Sequence, residues 1–503
     1  MAHAVGLAAE ARARVSDLPA WRQGDLPHAP AYNPVNLVRV IGPGAILLGV
    51  SLGAGDWLLG PAVVVRYGPI LLWICTLSIL FQGVLNAEMA RYTLATGEPV
   101  FTGFMRQRPG ARFWAIGYSA LHLAQAGWPG WALAGGSALA ALLLGRVPRA
   151  DDRAVVVGLG YLLFLGAVGL VLLGRRAQRA FEITEWIMMA WMLLLLVTLA
   201  VYFVPGSAWA TIAWSFAGRP LWEPTWIPSR LPAPAIDWPL IAALAAYSGA
   251  GGTINAMLTY WLRDKGFGMA GTVGAQPTPV GDQTILLPRD GAIFPPSEAN
   301  LAKWREWWRY LRADLSYLWT AGCLIAMSLP VLLALDAVPP GTEMGGFGAG
   351  AVFAREISRR YWAVLWVPPL LATLWIFFST QVGIVEGFAR NVTEMLWTAG
   401  VRPATAGAAW VYYPVLALFV AAGGLAMTVA DPLSLIVIGA NIAAVNFAVL
   451  SLHTLRLNRA LLPAPLRAPL WREVVVAAGG LGFAALALLA AAARLGLIGG
   501  PGR

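Results

Sequence analysis

The chain has 503 residues, of which 58% are hydrophobic and 12% charged, with a net charge of +10. Soluble domains carry about twice that charged fraction, so the composition excludes a water-soluble globule. The positive balance does not indicate nucleic acid either: it comes from arginines beside apolar runs, and Lys265 and Lys303 are the only lysines.

Residues 1–38 contain Arg12, Arg14, Arg22 and several prolines but no apolar core of the signal-peptide kind. They read as a flexible cytoplasmic tail. Apolar runs of membrane-spanning length follow at 39–63, 68–92, 113–144, 154–174, 183–204, 238–262, 314–336, 361–388, 408–429, 433–452 and 471–495. Arginines at 91, 106, 108, 112, 175, 176, 179, 456, 459, 467 and 472 fall on one side of these runs. Excess basic charge marks the cytoplasmic side, so the amino terminus reads as inside and the carboxyl terminus as outside an inner membrane. Arg355, Arg359 and Arg360 run against that bias. The 24 tryptophans suit aromatic belts at both interfaces. Cys75 and Cys323 lie within spans and form no disulfide or metal-thiolate pattern.

The first and sixth runs are interrupted in corresponding ways, by Ser51-Leu52-Gly53-Ala54-Gly55-Asp56 and by Tyr247-Ser248-Gly249-Ala250-Gly251-Gly252-Thr253-Ile254-Asn255. Each glycine costs a helix up to about 1 kcal/mol relative to alanine. Non-helical backbone at membrane depth survives only where protein or a water-filled cavity satisfies its polar groups. Two five-span blocks, 39–204 and 238–452, each open with such a break. Because five is odd, they have opposite orientations and form an inverted repeat whose breaks meet near the midplane. An external loop at 205–237 joins them, and an eleventh span with a carboxyl-terminal tail occupies 453–503. A cytoplasmic insertion at 263–313 ends in a run that places Trp304, Trp307, Trp308 and Leu311 on one face. That pattern predicts an interfacial amphipathic helix anchoring the entry to span seven. The fold class is therefore all-α and polytopic, and the paired breaks mark a secondary transporter.

Several motifs resemble those of the Nramp metal-ion transporters. Gly42-Pro43-Gly44 with the break and Asp56-Trp57 is similar to that family's Asp-Pro-Gly-Asn-Trp. Ala90-Arg91-Tyr92-Thr93-Leu94-Ala95-Thr96-Gly97 resembles the end of its second span, and Val385-Glu386-Gly387-Phe388 its Met-Glu-Gly-Phe. The resemblance runs from about residue 40 to 450 and implies a LeuT-like fold with a substrate site between spans one and six. The departures are specific. Gly53 and Asp56 stand where the family has the Asp and Asn that flank Pro-Gly, so the carboxylate moves to the second position. The family's Met-Pro-His is replaced near Thr253-Ile254-Asn255, and its span-three acid pair is matched by His122 and Gln125. Sulfur ligands favour transition metals and oxygen ligands favour Mg²⁺ or Ca²⁺, so the resemblance implies an altered, oxygen-rich site like that of divergent branches.

Asp56 is the carboxylate expected nearest mid-membrane. Its ionised form costs roughly 2.5–3.5 kcal/mol there, which makes it a candidate ligand or counter-ion, against the plainer role of capping the outer half-helix. Carbonyls at Gly53, Ala54 and Gly249 are candidate oxygen donors. Thr253 and Asn255 either line the site or bond between helices. His122 and Gln125 share a face of span three as a candidate proton or polar pathway. Asn441, in span ten, lies near a glutamine that helps hold metal in the resembled family. Gln381 is a possible cavity residue. Glu88 with Arg91 and Glu386 with Arg390 have the spacing of helix ion pairs. The expected substrate is a divalent cation of the Mg²⁺ or Mn²⁺ class, handled without cofactor, nucleic acid or enzymatic chemistry. A small organic solute and a non-transporting membrane sensor are the rival readings.

Overall fold

The structure is a computed structural model, and it describes residues 17–173, 175–223, 236–274, 287, 291–401 and 407–498. Arg12, Arg14, residues 224–235 of the loop at 205–237, part of the insertion and the side chains of Arg175, Arg176 and Arg179 lie outside the described residues, and the loop's first part holds the helix Gly206–Phe216. Among those residues, nine helices are long and apolar enough to cross a membrane, and two bent helix pairs bring the spans to eleven. The chain is a multi-pass membrane protein.

Span one enters as Pro34–Val40 and Pro43–Ser51, bent by 56°. After a gap at 52–53 it resumes through a wide π-turn, Gly55–Leu59, into Gly60–Tyr67. Span six runs as Trp238–Tyr247, opens at 248–251, and restarts as Gly252–Asp264, with Gly251 at φ 78° and Gly252 at φ 47°. Positive φ is cheap only for glycine, so this pair permits the break. Further spans follow each broken helix, and the helix Leu470–Arg494 is the last of the eleven. Span three is also divided, as Ala111–Ala126 and Gly130–Leu144, with Pro129 capping the second part. Small residues bring spans three and four together: a Cβ on Gly136 would lie 2.7 Å from the Gly160 backbone nitrogen.

Two expectations need correction on the face that carries the amino terminus. The segment from residue 17 to 33 is a docked strap rather than a free tail. Arg22–Gln23 pairs in parallel with Ala292–Ile293. Trp307 Nε1 donates to the Pro27 carbonyl (2.9 Å), Tyr310 Oη to that of Ala31 (3.0 Å), and Asn300 Nδ2 to Asp25 (3.1 Å). The helix carrying those tryptophans is not a separate interfacial anchor. It is the start of one 40-residue helical run, Glu298–Ala337, continuous with span seven. Its aromatic face is buried in protein, with Trp304 against Phe294 and Trp307 against Phe267. The amphipathic pattern is real, but the strap and insertion cover the apolar face that would otherwise seek lipid.

Candidate functional site

The two breaks touch. A Cβ on Gly55 would overlap the Tyr247 carbonyl, lying 2.6 Å from its carbon and 3.3 Å from Ser248 N. Only glycine lets the backbones approach this closely.

Side chains from neighbouring spans satisfy the opened backbone. In break one, Thr380 of span eight donates to the Leu52 carbonyl (2.9 Å), and its hydroxyl occupies the space a Gly53 side chain would need. Break six is held by two glutamines. Gln82 of span two donates to the Ala246 carbonyl (3.2 Å) and accepts from Gly251 N (3.0 Å) and Asn255 Nδ2 (3.1 Å). Gln125 of span three donates to the Gly251 carbonyl (3.1 Å). Its Oε1 accepts from Thr253 N (3.0 Å), Thr253 Oγ1 (2.9 Å) and Asn446 Nδ2 (2.9 Å). Buried backbone without such partners costs several kcal/mol per group in hydrocarbon. Thr253 is thus a bonding partner of Gln125, and Gln125 is a staple of the break.

Asp56 lies in the π-turn, buried, with the Gly53 backbone amide facing its carboxylate. It makes no ion pair among the described residues. Its side chain does not cap the helix that resumes there. Single π-turns inside helices often sit at functional sites. Two thiols stand within electrostatic reach of it: Cys75 of span two, beside Ser248, and Cys323 of span seven, beside Ser51. These two couples occupy corresponding spans and breaks of the two repeats. Among the described residues no three His, Cys, Asp or Glu side chains converge as a metal cluster. The span-six thioether, Met257, is packed on Gly387, with Sδ 3.0 Å from the Cβ position there.

Several buried polar atoms around the breaks lack a partner among the described residues: Asn255 Oδ1, Gln381 Oε1 and Nε2, His122 Nδ1, Asn446 Oδ1 and both side-chain polar atoms of Asn86. Buried polar groups are normally satisfied by protein or ordered water, so these atoms are places where water or a ligand would bind. The His122 ring meets Phe388 of span eight edge-on at 5.3 Å. Asn441 is placed elsewhere: its Nδ2 donates to Val437 (2.6 Å) and to the Pro239 carbonyl (3.0 Å) at the opening of span six. The span-ten amide that bonds Gln125, the residue holding break six, is Asn446. Glu88 pairs with Arg91 (2.7 Å) and also with Arg472 (2.9 Å). Arg390 reaches Asp264 of span six.

Sequence reasoning passed over Gln82, whose signal was the stripe Ser78, Gln82, Asn86 at four-residue spacing on span two. It also passed over Asp314. This buried carboxylate of span seven accepts from Gly42 N (3.0 Å) and Gly44 N (2.7 Å), fastening the entry of span one.

No family model matches the sequence, and no curated protein does. Solved structures do. A manganese transporter of Eremococcus coleocola, in a glutamate-to-glutamine variant, superposes with a TM-score of 0.64 at 14% identity. It covers 95% of this chain and 91% of its own. A histidine-to-alanine variant gives 0.63 at 14% identity, covering 93% and 90%. The same transporter with an aromatic bis-isothiourea compound gives 0.54 at 17% identity, covering 93% and 89%. The chain has the LeuT-like fold, and over nearly its whole length it is similar in architecture to these manganese transporters.

Proposed function

We propose that this protein carries a divalent metal cation of the Mg²⁺ or Mn²⁺ class across the cytoplasmic membrane by alternating access. One observation supports this above the others: Asp56, a buried carboxylate with no cationic partner among the described residues, sits where two interrupted helices touch. An intramembrane carboxylate without a counter-ion is costly unless a cation is its purpose. The ligand set is the Asp56 carboxylate, carbonyls at Gly53, Ala54 and Gly249, and Asn255 Oδ1, all oxygen donors suited to a hard cation. Asn441 Nδ2 is committed to the Pro239 carbonyl, while its Oδ1 has no partner among the described residues and is a further oxygen donor on span ten. The similar solved structures are of a manganese transporter, and this donor set also accommodates manganese.

The face carrying the strap is assigned to the cytoplasm. It holds Arg39, Arg91, Arg106, Arg108, Arg112, Arg263, Lys265, Lys303, Arg305, Arg309 and Arg312. On the opposite face Arg66, Arg146, Arg219 and Arg355 are each paired with a carboxylate. In this reading the protein is only weakly coupled to protons, if at all. Glutamine does not exchange protons near neutral pH, and His122 would be a lone relay beside it. The test is flux into proteoliposomes with Mg²⁺, Mn²⁺, Ca²⁺ and amino acids offered separately, with internal pH recorded. Uptake of Mg²⁺ or Mn²⁺ without stoichiometric acidification supports the proposal. Amino-acid uptake without cation uptake would select the organic-solute reading. Proton entry surviving His122→Ala would remove the uncoupled mechanism.

A further inference from the structure

The face that carries the strap holds a cavity of about 570 Å³ away from the breaks, lined by Arg106, Gln107, Arg108, Arg459, Leu461 and Arg467, with Ala460 beside them. Three elements build it. Arg106 follows the short helix Val100–Met105, Arg459 closes span ten (Pro432–Leu461), and Arg467 lies in the turn before span eleven. Two of the four guanidinium groups are neutralised locally. Arg106 Nε donates to Glu98 Oε2 (2.9 Å), and Arg459 Nε to Glu473 Oε1 (3.1 Å). Arg108 and Arg467 have no carboxylate partner among the described residues. Arg467 spends only Nε on a carbonyl, that of Leu462 (3.0 Å), which leaves its terminal nitrogens for another acceptor. Gln107 Nε2 is buried and has no acceptor among the described residues.

Two uncompensated cations and an orphan donor around one cavity ask for an anion. Arginine's planar fork matches a phosphate group, which accepts parallel hydrogen bonds from it. Arginines that only set membrane orientation have no need to converge, whereas here four meet at one cavity and Arg106 is fully buried. The neighbouring surface suits a lipid. Trp114 of span three donates to the Arg108 carbonyl (3.1 Å) and its ring lies tilted against that of His453 of span ten (centroids 4.2 Å apart), so the two spans meet beside the cavity. Phe113, Ile116 and Leu452 on these helices are 58%, 57% and 54% exposed. They offer an apolar track for acyl chains below a charged headgroup. We infer that this cavity binds a phosphate-bearing anion, and that the headgroup of an anionic phospholipid supplies it.

The test uses the full chain in neutral phosphatidylcholine nanodiscs. Phosphatidylglycerol is titrated in one arm and inorganic phosphate in the other, and binding is followed by native mass spectrometry and by the thermal unfolding midpoint. Each uncompensated arginine should be worth about fivefold in affinity. Arg108→Gln with Arg467→Gln should therefore weaken binding by more than tenfold, while Arg305→Gln, exposed on the same face, should leave it unchanged. An unaltered midpoint of the double variant in pure phosphatidylcholine shows that it is folded. Retention of phosphatidylglycerol but not inorganic phosphate by the wild type supports the lipid source. Saturable inorganic phosphate binding, lost in the double variant, keeps the phosphate site and overturns the lipid assignment. Equal binding by the wild type and the double variant overturns the site itself. Metal flux in neutral lipid is read in parallel, so failure of the transport proposal stays separate from failure of this one.

Discussion

Gln125→Leu is the most informative single perturbation of the site architecture. It keeps similar bulk and removes the amide that bonds Gly251 O, Thr253 N, Thr253 Oγ1 and Asn446 Nδ2. Thr253 and Asn446 are fully buried, so water does not reach them without opening the bundle. Interhelical hydrogen bonds in membranes average about 0.6 kcal/mol, with a maximum near 1.7. Four together are therefore worth about 2–4 kcal/mol, toward the upper part if the backbone groups stay unpaired. At about 2 °C per kcal/mol for a large domain, the unfolding midpoint should fall by roughly 4–8 °C. The chain carries its own reporter, because Cys75 and Cys323 are buried and label with a fluorogenic maleimide only on unfolding. Thr253→Val should cost far less, since only the hydroxyl bond is lost. The double variant should be no less stable than Gln125→Leu, because that bond is already gone. A midpoint unchanged in Gln125→Leu, or fully additive losses, would refute the staple.

Gly55→Ala should abolish transport and lower expression, because its methyl overlaps the Tyr247 carbonyl; Gly158→Ala, with open space around it, should be neutral or stabilising by up to about 1 kcal/mol. Flux and expression of the two variants, measured side by side, check this. On the opposite face, Asp152 is lowered from 3.8 to about 2, first by the hydrogen bond from Arg146 and then by the Arg149 backbone amide. A depressed carboxylate stabilises above its unfolded value and loses that contribution as pH falls through its folded value. The denaturation midpoints of the wild type and Asp152→Asn should thus differ by a constant amount above pH 5 and converge between about pH 4 and pH 2. A gap at pH 2 as large as that above pH 5 would contradict the pairing.

The sequence made the interruptions legible because clustered glycines are both a helix penalty and a licence for close backbone approach. Gly53, Gly55, Gly249 and Gly251 carried that information without any partner. The partners were not legible to the same degree. Gln82 and Gln125 are ordinary amides inside apolar runs, and what each bonds is defined only once spans two and three stand against break six. His122 and Gln125 look equivalent on a helical face, yet one staples backbone and the other keeps Nδ1 without a partner. The strap was hidden for a different reason. Its contacts pair residues separated by about 270 positions, as with Leu26 N and Asn300 Oδ1, and a proline-rich stretch has no periodicity to announce a docking face. Cys75 and Cys323 fell within apolar runs, where a cysteine behaves as a small hydrophobe. Their approach to Asp56 follows from the repeat symmetry, which brings spans two and seven alongside the opposite breaks.

The central claim is that Asp56 is the charge that holds the transported cation. Asp56→Asn preserves shape and hydrogen-bonding capacity while removing that charge. The most direct measurement is Mn²⁺ and Mg²⁺ binding by calorimetry on the purified wild type and Asp56→Asn, with thermal midpoints recorded on the same samples. Loss of one charged ligand should weaken cation binding by at least tenfold, while the unfolding midpoint stays the same or rises as a buried charge is removed. Unchanged cation affinity in a folded Asp56→Asn would contradict the account.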